Sequence, residues 1–134
     1  MVEHKFIQSS GFRNVGPEGA REGFEVRIRL PNYRGMRMSL FDGVDVTVDG
    51  ETFPYEQNLI RLRDQTFNLA ELREAADVRW ELFEWGTVVV RKPGGLTPGI
   101  HRIAVCARVR SPYFPPEFQP SFVRDERLGT IVLP

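Results

Sequence analysis

Two imidazoles and one thiol, on His4, His101 and Cys106, are the whole stock of such groups in the chain. The histidines stand far apart and neither falls in a ligand spacing such as His-x-x-x-His, so no metal site is expected on this polypeptide. His101 lies on the apolar face of a predicted strand, where a hydrogen-bonded structural histidine outweighs a catalytic one. Cys106 shares strand parity with Arg102 and Arg108, whose charge would draw a thiol toward a reactive thiolate; the competing reading is a small packing residue. Carboxylate pairs such as Glu81 with Glu84 and Asp125 with Glu126 are present, but spacing alone nominates no glycosidase pair. No Gly-x-Ser-x-Gly elbow, phosphate loop or dinucleotide fingerprint occurs. Pro93-Gly94-Gly95 joins two predicted strands and reads as a hairpin turn. No catalytic residue is assigned, and the inventory is that of a subunit.

The elements that would position these groups are mostly strands. Phe24, Val26, Ile28 and Leu30 alternate with Glu25, Arg27 and Arg29, and Val44, Val46 and Val48 alternate with Asp45, Thr47 and Asp49. Each is a half-buried strand. Asp49-Gly50 then supplies a tight hairpin turn, with Thr52 and Phe53 starting the return. From Ile100 to Arg110 a longer ribbon buries His101, Ile103, Val105, Ala107 and Val109 and wets Arg102, Arg108 and Arg110. Shorter strands are expected at 5–8, 37–41, 59–62, 79–83, 87–91 and 130–133, for eight or nine in all. One helix is predicted over Leu69 to Ala76, with Asn68 as its cap and Glu71 at the reciprocal capping-box position. Leu96-Thr97-Pro98-Gly99-Ile100-His101 has the shape of a sandwich corner, with His101 in the ring position. Brief alternating strands with no long crossover helix predict a mainly β chain, an antiparallel immunoglobulin-like β-sandwich over residues 1–110. Residues 111–134 form an extended aromatic and proline-rich segment of the same domain, ending in an edge strand.

Bulk properties exclude several function classes. A chain of 134 residues with 41% hydrophobic and 27% charged residues suits one domain. Eighteen basic side chains balance eighteen acidic ones, so neither nucleic acid nor an anionic membrane is an expected partner. Lys5 and Lys92 are the only lysines, leaving an arginine-dominated set that either suits interfaces or reflects genome composition. One cysteine permits no internal disulfide, and no charged-then-apolar leader opens the sequence, so a reducing, cytoplasmic location is expected.

Two segments seek a surface to cover them. Asn32 to Met38 offers Tyr33, Arg34 and Arg37 with two methionines, a composition enriched at interfaces, although a loop packed on its own domain is the other reading. From Ser111 to Arg127, Tyr113, Phe114, Phe118 and Phe122 alternate with four prolines, and rings in such number are expected to lie extended across a partner, with a flap packed on its own domain as the other reading. Trp80 and Trp85 are expected in core or interface packing.

Gly11-Phe12-Arg13-Asn14-Val15, Pro31-Asn32-Tyr33-Arg34-Gly35, Asp45 through Glu51, Asp77-Val78-Arg79-Trp80-Glu81 and Lys92 through Gly99 occur in an order that resembles the beta subunit of bacterial C-glycoside deglycosidases. The resemblance spans nearly the whole chain. It implies a β-sandwich bound in a hetero-oligomer to an alpha subunit with a sugar-phosphate-isomerase-like barrel. That partner would carry a divalent metal, expected to be manganese, and a histidine base; no cofactor is implied on this chain. The complex would act on 3-keto C-glucosides of flavonoid type, cleaving the bond between sugar and aglycone. No catalytic residue of the family transfers to a position here. The alternative function is a free-standing carbohydrate-binding sandwich with Trp80, Trp85 or Tyr33 stacked on sugar faces.

Overall fold

The computed structural model describes residues 5–31, 34–110 and 121–134. Among them the chain is mainly β, with eleven strands and one short α-helix. In chain order the strands are β1 (Arg13–Val15), β2 (Gly23–Arg29), β3 (Met36–Arg37), β4 (Phe41–Val48), β5 (Glu51–Phe53), β6 (Leu59–Leu62), β7 (Gln65–Phe67), β8 (Arg79–Trp80), β9 (Trp85–Arg91), β10 (Gly99–Val109) and β11 (Ser121–Ile131). Every pairing is antiparallel. One sheet runs β1-β2-β9-β6-β7, a second runs β11-β10-β4-β5, and β3 and β8 form a separate ribbon.

The alternation in sequence becomes the core. Val26, Ile28, Val88 and Val90 point inward from the first sheet, Val44, Val46, Ile103 and Val105 from the second, and all join one hydrophobic cluster. Burying each such side chain contributes about 1.5–3 kcal/mol, so the two faces hold the sheets together. Phe24 of the first sheet meets Phe53 of the second edge-on at 5.4 Å. Asp49 at φ 50° and Gly50 at φ 90° make the expected tight turn between β4 and β5. The helix α1 (Leu69–Glu74) starts as predicted: Asn68 Oδ1 accepts from the Glu71 amide at 2.8 Å and Glu71 Oε1 from the Asn68 amide at 3.0 Å.

Several boundaries differ from the sequence expectation. The strand expected over 37–41 is only Met36–Arg37, because Met38–Leu40 form a 3₁₀ turn before β4. The one expected over 79–83 stops at Trp80, where residues 81–84 close into a turn. The segment 5–8 makes one bridge, Ile7 to Ile28. Pro93-Gly94-Gly95 is not a hairpin turn, since β9 and β10 lie in different sheets and the segment carries the chain between them. The largest departure is β11. Ser121 through Arg127, expected to lie across a partner, instead pair with β10 from Val109 to Ile103, and the edge strand expected only at 130–133 runs eleven residues.

Asp125 on β11 joins the two sheets at this side. Its Oδ2 accepts from the Phe6 amide at 2.8 Å and the Ile7 amide at 2.9 Å, while Oδ1 accepts from the Glu126 amide at 2.8 Å. The same segment hydrogen-bonds to β2 through Gln8 N to Arg27 O and Arg29 N to Phe6 O. Removing the carboxylate strands two buried amides, so Asp125→Ala should lower the unfolding free energy by about 2–3 kcal/mol in a urea titration. An unchanged midpoint would show that Phe6 and Ile7 are held by other contacts.

Candidate functional site: an aromatic rim

Trp80 brings three segments to one end of the sheets. Its buried indole lies on Gly86 at the head of β9, where an added Cβ would come within 2.5 Å of the ring. Its other neighbour is Phe41 at the head of β4, with ring centroids 5.3 Å apart at 70°. Gly86 belongs to the first sheet and Phe41 to the second, so the indole plugs the space between them. At the same end Met38 N donates to Val78 O at 2.8 Å, Arg110 N donates to Leu40 O at 2.7 Å, and Ser121 stands opposite Val109.

The turn after Trp80 is closed by its own polar groups. The indole Nε1 donates to Glu84 O at 3.0 Å, and the Glu81 amide to Glu84 Oε1 at 3.2 Å. Leu82 and Phe83 are thereby turned outward, 49% and 86% exposed, beside Trp85 at 46%, with Phe122 at 47% on the second sheet. Four of the eight exposed large apolar residues among the described residues thus lie at this end, while Ile100, Leu128, Val132 and Leu133 lie toward the other end of β10 and β11. Phe122 is held by a stack in which the Arg108 guanidinium lies 3.8 Å from the Tyr55 ring centre and 5.1 Å from that of Phe122, its Nη2 donating to Asp45 Oδ2 at 3.1 Å.

The predicted contact residues fall on this rim only in part. Arg34 and Arg37 are exposed there, Arg37 paired across the ribbon with Arg79, and Phe122 stands at the entry to β11. Tyr33, Tyr113, Phe114 and Phe118 lie outside the described residues. Sequence reasoning missed Leu82 and Phe83, although two apolar residues between Glu81 and Glu84 carry the signature of a glutamate-closed turn. Of the tryptophans, expected in core or interface packing, Trp80 is in the core and Trp85 is half-exposed.

The imidazole and the thiol lie away from this rim. His101 Nδ1 lies 2.6 Å from Asp49 Oδ2 and Nε2 lies 2.7 Å from Thr97 O, so both ring nitrogens face acceptors and the geometry suits an imidazolium. Burial opposes that charge, but the Thr97 carbonyl and the Asp49 carboxylate outweigh it and raise the pKa. The ring thus ties the Asp49-Gly50 turn to the corner before β10, the ring position expected from sequence. Asp49 is lowered by the Arg102 amide first and by His101 second. Burial pushes the Cys106 thiol above 9.0, and Arg124 and Arg108 only partly oppose it. Among the described residues no three His, Cys, Asp or Glu side chains gather as a metal site.

Comparison with known proteins places this geometry in context. Residues 2–113 match the family model described as C-glycoside deglycosidase beta subunit. A C-glycoside deglycosidase beta subunit of Eubacterium cellulosolvens is 30% identical over 119 residues, 88% of this chain and 81% of that protein. A 3'-dehydrocarminate deglycosidase beta subunit of a Microbacterium species is 36% identical over 94 residues, covering 69% of this chain and 70% of its own.

Two expectations follow. Because the folded pKa of His101 is raised, its contribution to stability is whole below 6.5 and lost as pH climbs through the raised value. The urea midpoint should therefore fall from mildly acidic to alkaline buffer and His101→Gln should flatten that fall; an equal slope in the variant would assign the titration elsewhere. Cys106 should react with iodoacetamide at neutral pH more slowly than a free cysteine peptide, and fast labelling would contradict the packing role.

Proposed function

The chain belongs to the C-glycoside deglycosidase beta subunit family, and we propose that it is the non-catalytic partner of an alpha subunit, docked through the aromatic rim. The observation that carries this reading is the rim itself: Phe83, Leu82, Trp85 and Phe122 are presented at one end, while the His101 ring is tied into the fold and the Cys106 thiol is raised by burial. Aromatic anchors of this kind contribute most of the energy at protein interfaces. The two facing sheets are read as an immunoglobulin-like sandwich, a rigid body that carries the rim.

A 3-keto C-glucoside as substrate is supported by the family and by the Microbacterium relative, whose name specifies a 3'-dehydro compound. A ketone at C3 of the sugar acidifies the C2 proton. A base removes that proton, the electron pair forms the C1–C2 double bond through an enolate, and the aglycone leaves C1 and takes up a proton. In this reading the alpha subunit supplies the base, a barrel scaffold and a divalent metal, expected to be manganese. The metal would polarise the C3 ketone as a Lewis acid. The beta chain closes part of the aglycone side with apolar surface in a cytoplasmic hetero-oligomer.

A free-standing carbohydrate-binding module is favoured by one observation, the half-exposed Trp85 beside Arg27, and loses Trp80, whose indole is in the core. Tryptophan fluorescence of the isolated chain titrated with glycosides separates the readings; a saturable response without a partner selects the module. On the leading reading, a 3-keto C-glucoside should be cleaved only when this chain and the alpha subunit are present together. Leu82→Ala with Phe83→Ala should weaken their association by about tenfold or more in a binding titration. Full turnover by the isolated chain would reject the subunit role.

A further inference from the structure

We propose that the outer face of the five-stranded sheet is an arginine surface that extends the rim and takes an acidic surface of the alpha subunit, an inference that rests on the docking read above. Side chains that do not enter the core point to this face. On the strands they include Arg13, Arg27, Arg29, Arg61 and Arg91, against a single acid, Glu25. The chain carries no net charge, so five arginines on one face are a local separation of charge, not a reflection of composition.

Strand register sets these residues in rows. Arg27 stands opposite Thr87, and Thr87 opposite Arg61, so two guanidinium groups flank one hydroxyl across three strands. One row nearer the rim, Arg29 stands opposite Trp85. In the next row away, Arg13 stands opposite Glu25. Glu25 is buried and consumed from two sides, by Arg61 at 2.5 Å and Arg13 at 3.1 Å. Burial opposes its ionisation, but the two arginines outweigh that and hold its carboxyl below 4.5. The one acid on the face therefore organises two arginines and leaves the others uncompensated. Arg29 and Arg91 are exposed and make no ion pair among the described residues.

Two further observations point to a protein as the occupant. Trp85 lies 5.9 Å beneath the Arg27 guanidinium and belongs to the rim as well, so face and rim are one continuous surface. Beyond Val89 and Leu59 the face dips into an open concavity of about 680 Å³, lined by Val15, Leu59, Val89 and Pro93 with Arg21, Gln57, Arg91 and one acid, Glu22. Planar, weakly hydrated guanidinium groups beside apolar side chains suit carboxylates on a desolvated protein surface.

The test measures association of the intact chain with the alpha subunit at low and high salt. Wild type should bind more weakly as salt rises; Arg29→Glu with Arg91→Glu should weaken binding by about tenfold at low salt and flatten the salt dependence. Arg29→Gln with Arg91→Gln should fall between, with an unchanged thermal melt. If the charge-reversed chain binds like wild type while the Leu82, Phe83 double variant does not, the arginine face is overturned and rim docking stands. If wild type fails to bind the alpha subunit at every salt, both fall. Tighter retention on duplex DNA or anionic vesicles than on the alpha subunit would also overturn the proposal.

Discussion

The end of the sheets that bears the aromatic rim depends on one aromatic contact, the Trp80 indole on Gly86 and Phe41. Gly86 heads a strand of one sheet and Phe41 a strand of the other, so the indole fills the space between two sheets where they part. Its own strand is two residues long and cannot hold itself in place by ladder hydrogen bonds. The indole therefore anchors the ribbon, and through Nε1 it fixes the turn that displays Leu82 and Phe83. A side chain at residue 86 would push the ring out and carry the display with it. Core packing and surface chemistry are here one problem.

The buried polar groups among the described residues hold loops and segments in place. Asn14 donates to Leu96 O and accepts from the Leu96 amide, both at 2.8 Å, tying β1 to the crossing between sheets. Asn58 donates to Val44 O at 2.8 Å and Phe53 O at 2.9 Å, holding the loop after β5 against the second sheet. His101 and Asp125 perform the same service at the corner and at the N-terminal segment. Leaving any of these groups without its partner costs about as much as the hydrogen bond is worth, or more, so they are structural commitments.

What could be read from sequence was local. Alternation at Phe24 to Leu30, Val44 to Val48 and Ile100 to Arg110 marks strands because the side-chain period alone decides which face is wet. The Asn68 and Glu71 cap is a contact between near neighbours and is equally visible. The β6 to β7 hairpin was not visible, because Arg63 takes φ 55° where Asn or Gly would have advertised the turn. The length of β11 was obscured by alternation that breaks down on an edge strand: Asp125 and Arg127 occupy positions on its inward side and serve the N-terminal segment instead of the core. Trp80 and Trp85 differ only in which sheet space lies beneath them, and no window of sequence contains that. The rim is assembled from residues near positions 34, 83 and 122, so its existence is a property of the fold.

Association through strand addition is the alternative that such a β-rich chain must suppress, and its edges are built against it. The outer strands β1, β5 and β7 are each three residues long, too short to template a new ladder. The long edge, β11, turns Asp125 around the strand so that its carboxylate occupies the Glu126 amide, and the same carboxylate seats Phe6 and Ile7 alongside. Arg124, Glu126 and Arg127 add charge along the remainder. Edge pairing is blunted in this way on both sheets. The fold leaves apolar side chains exposed on the rim, at Leu82, Phe83, Trp85 and Phe122, and at the far end of β10 and β11, at Ile100, Leu128, Val132 and Leu133.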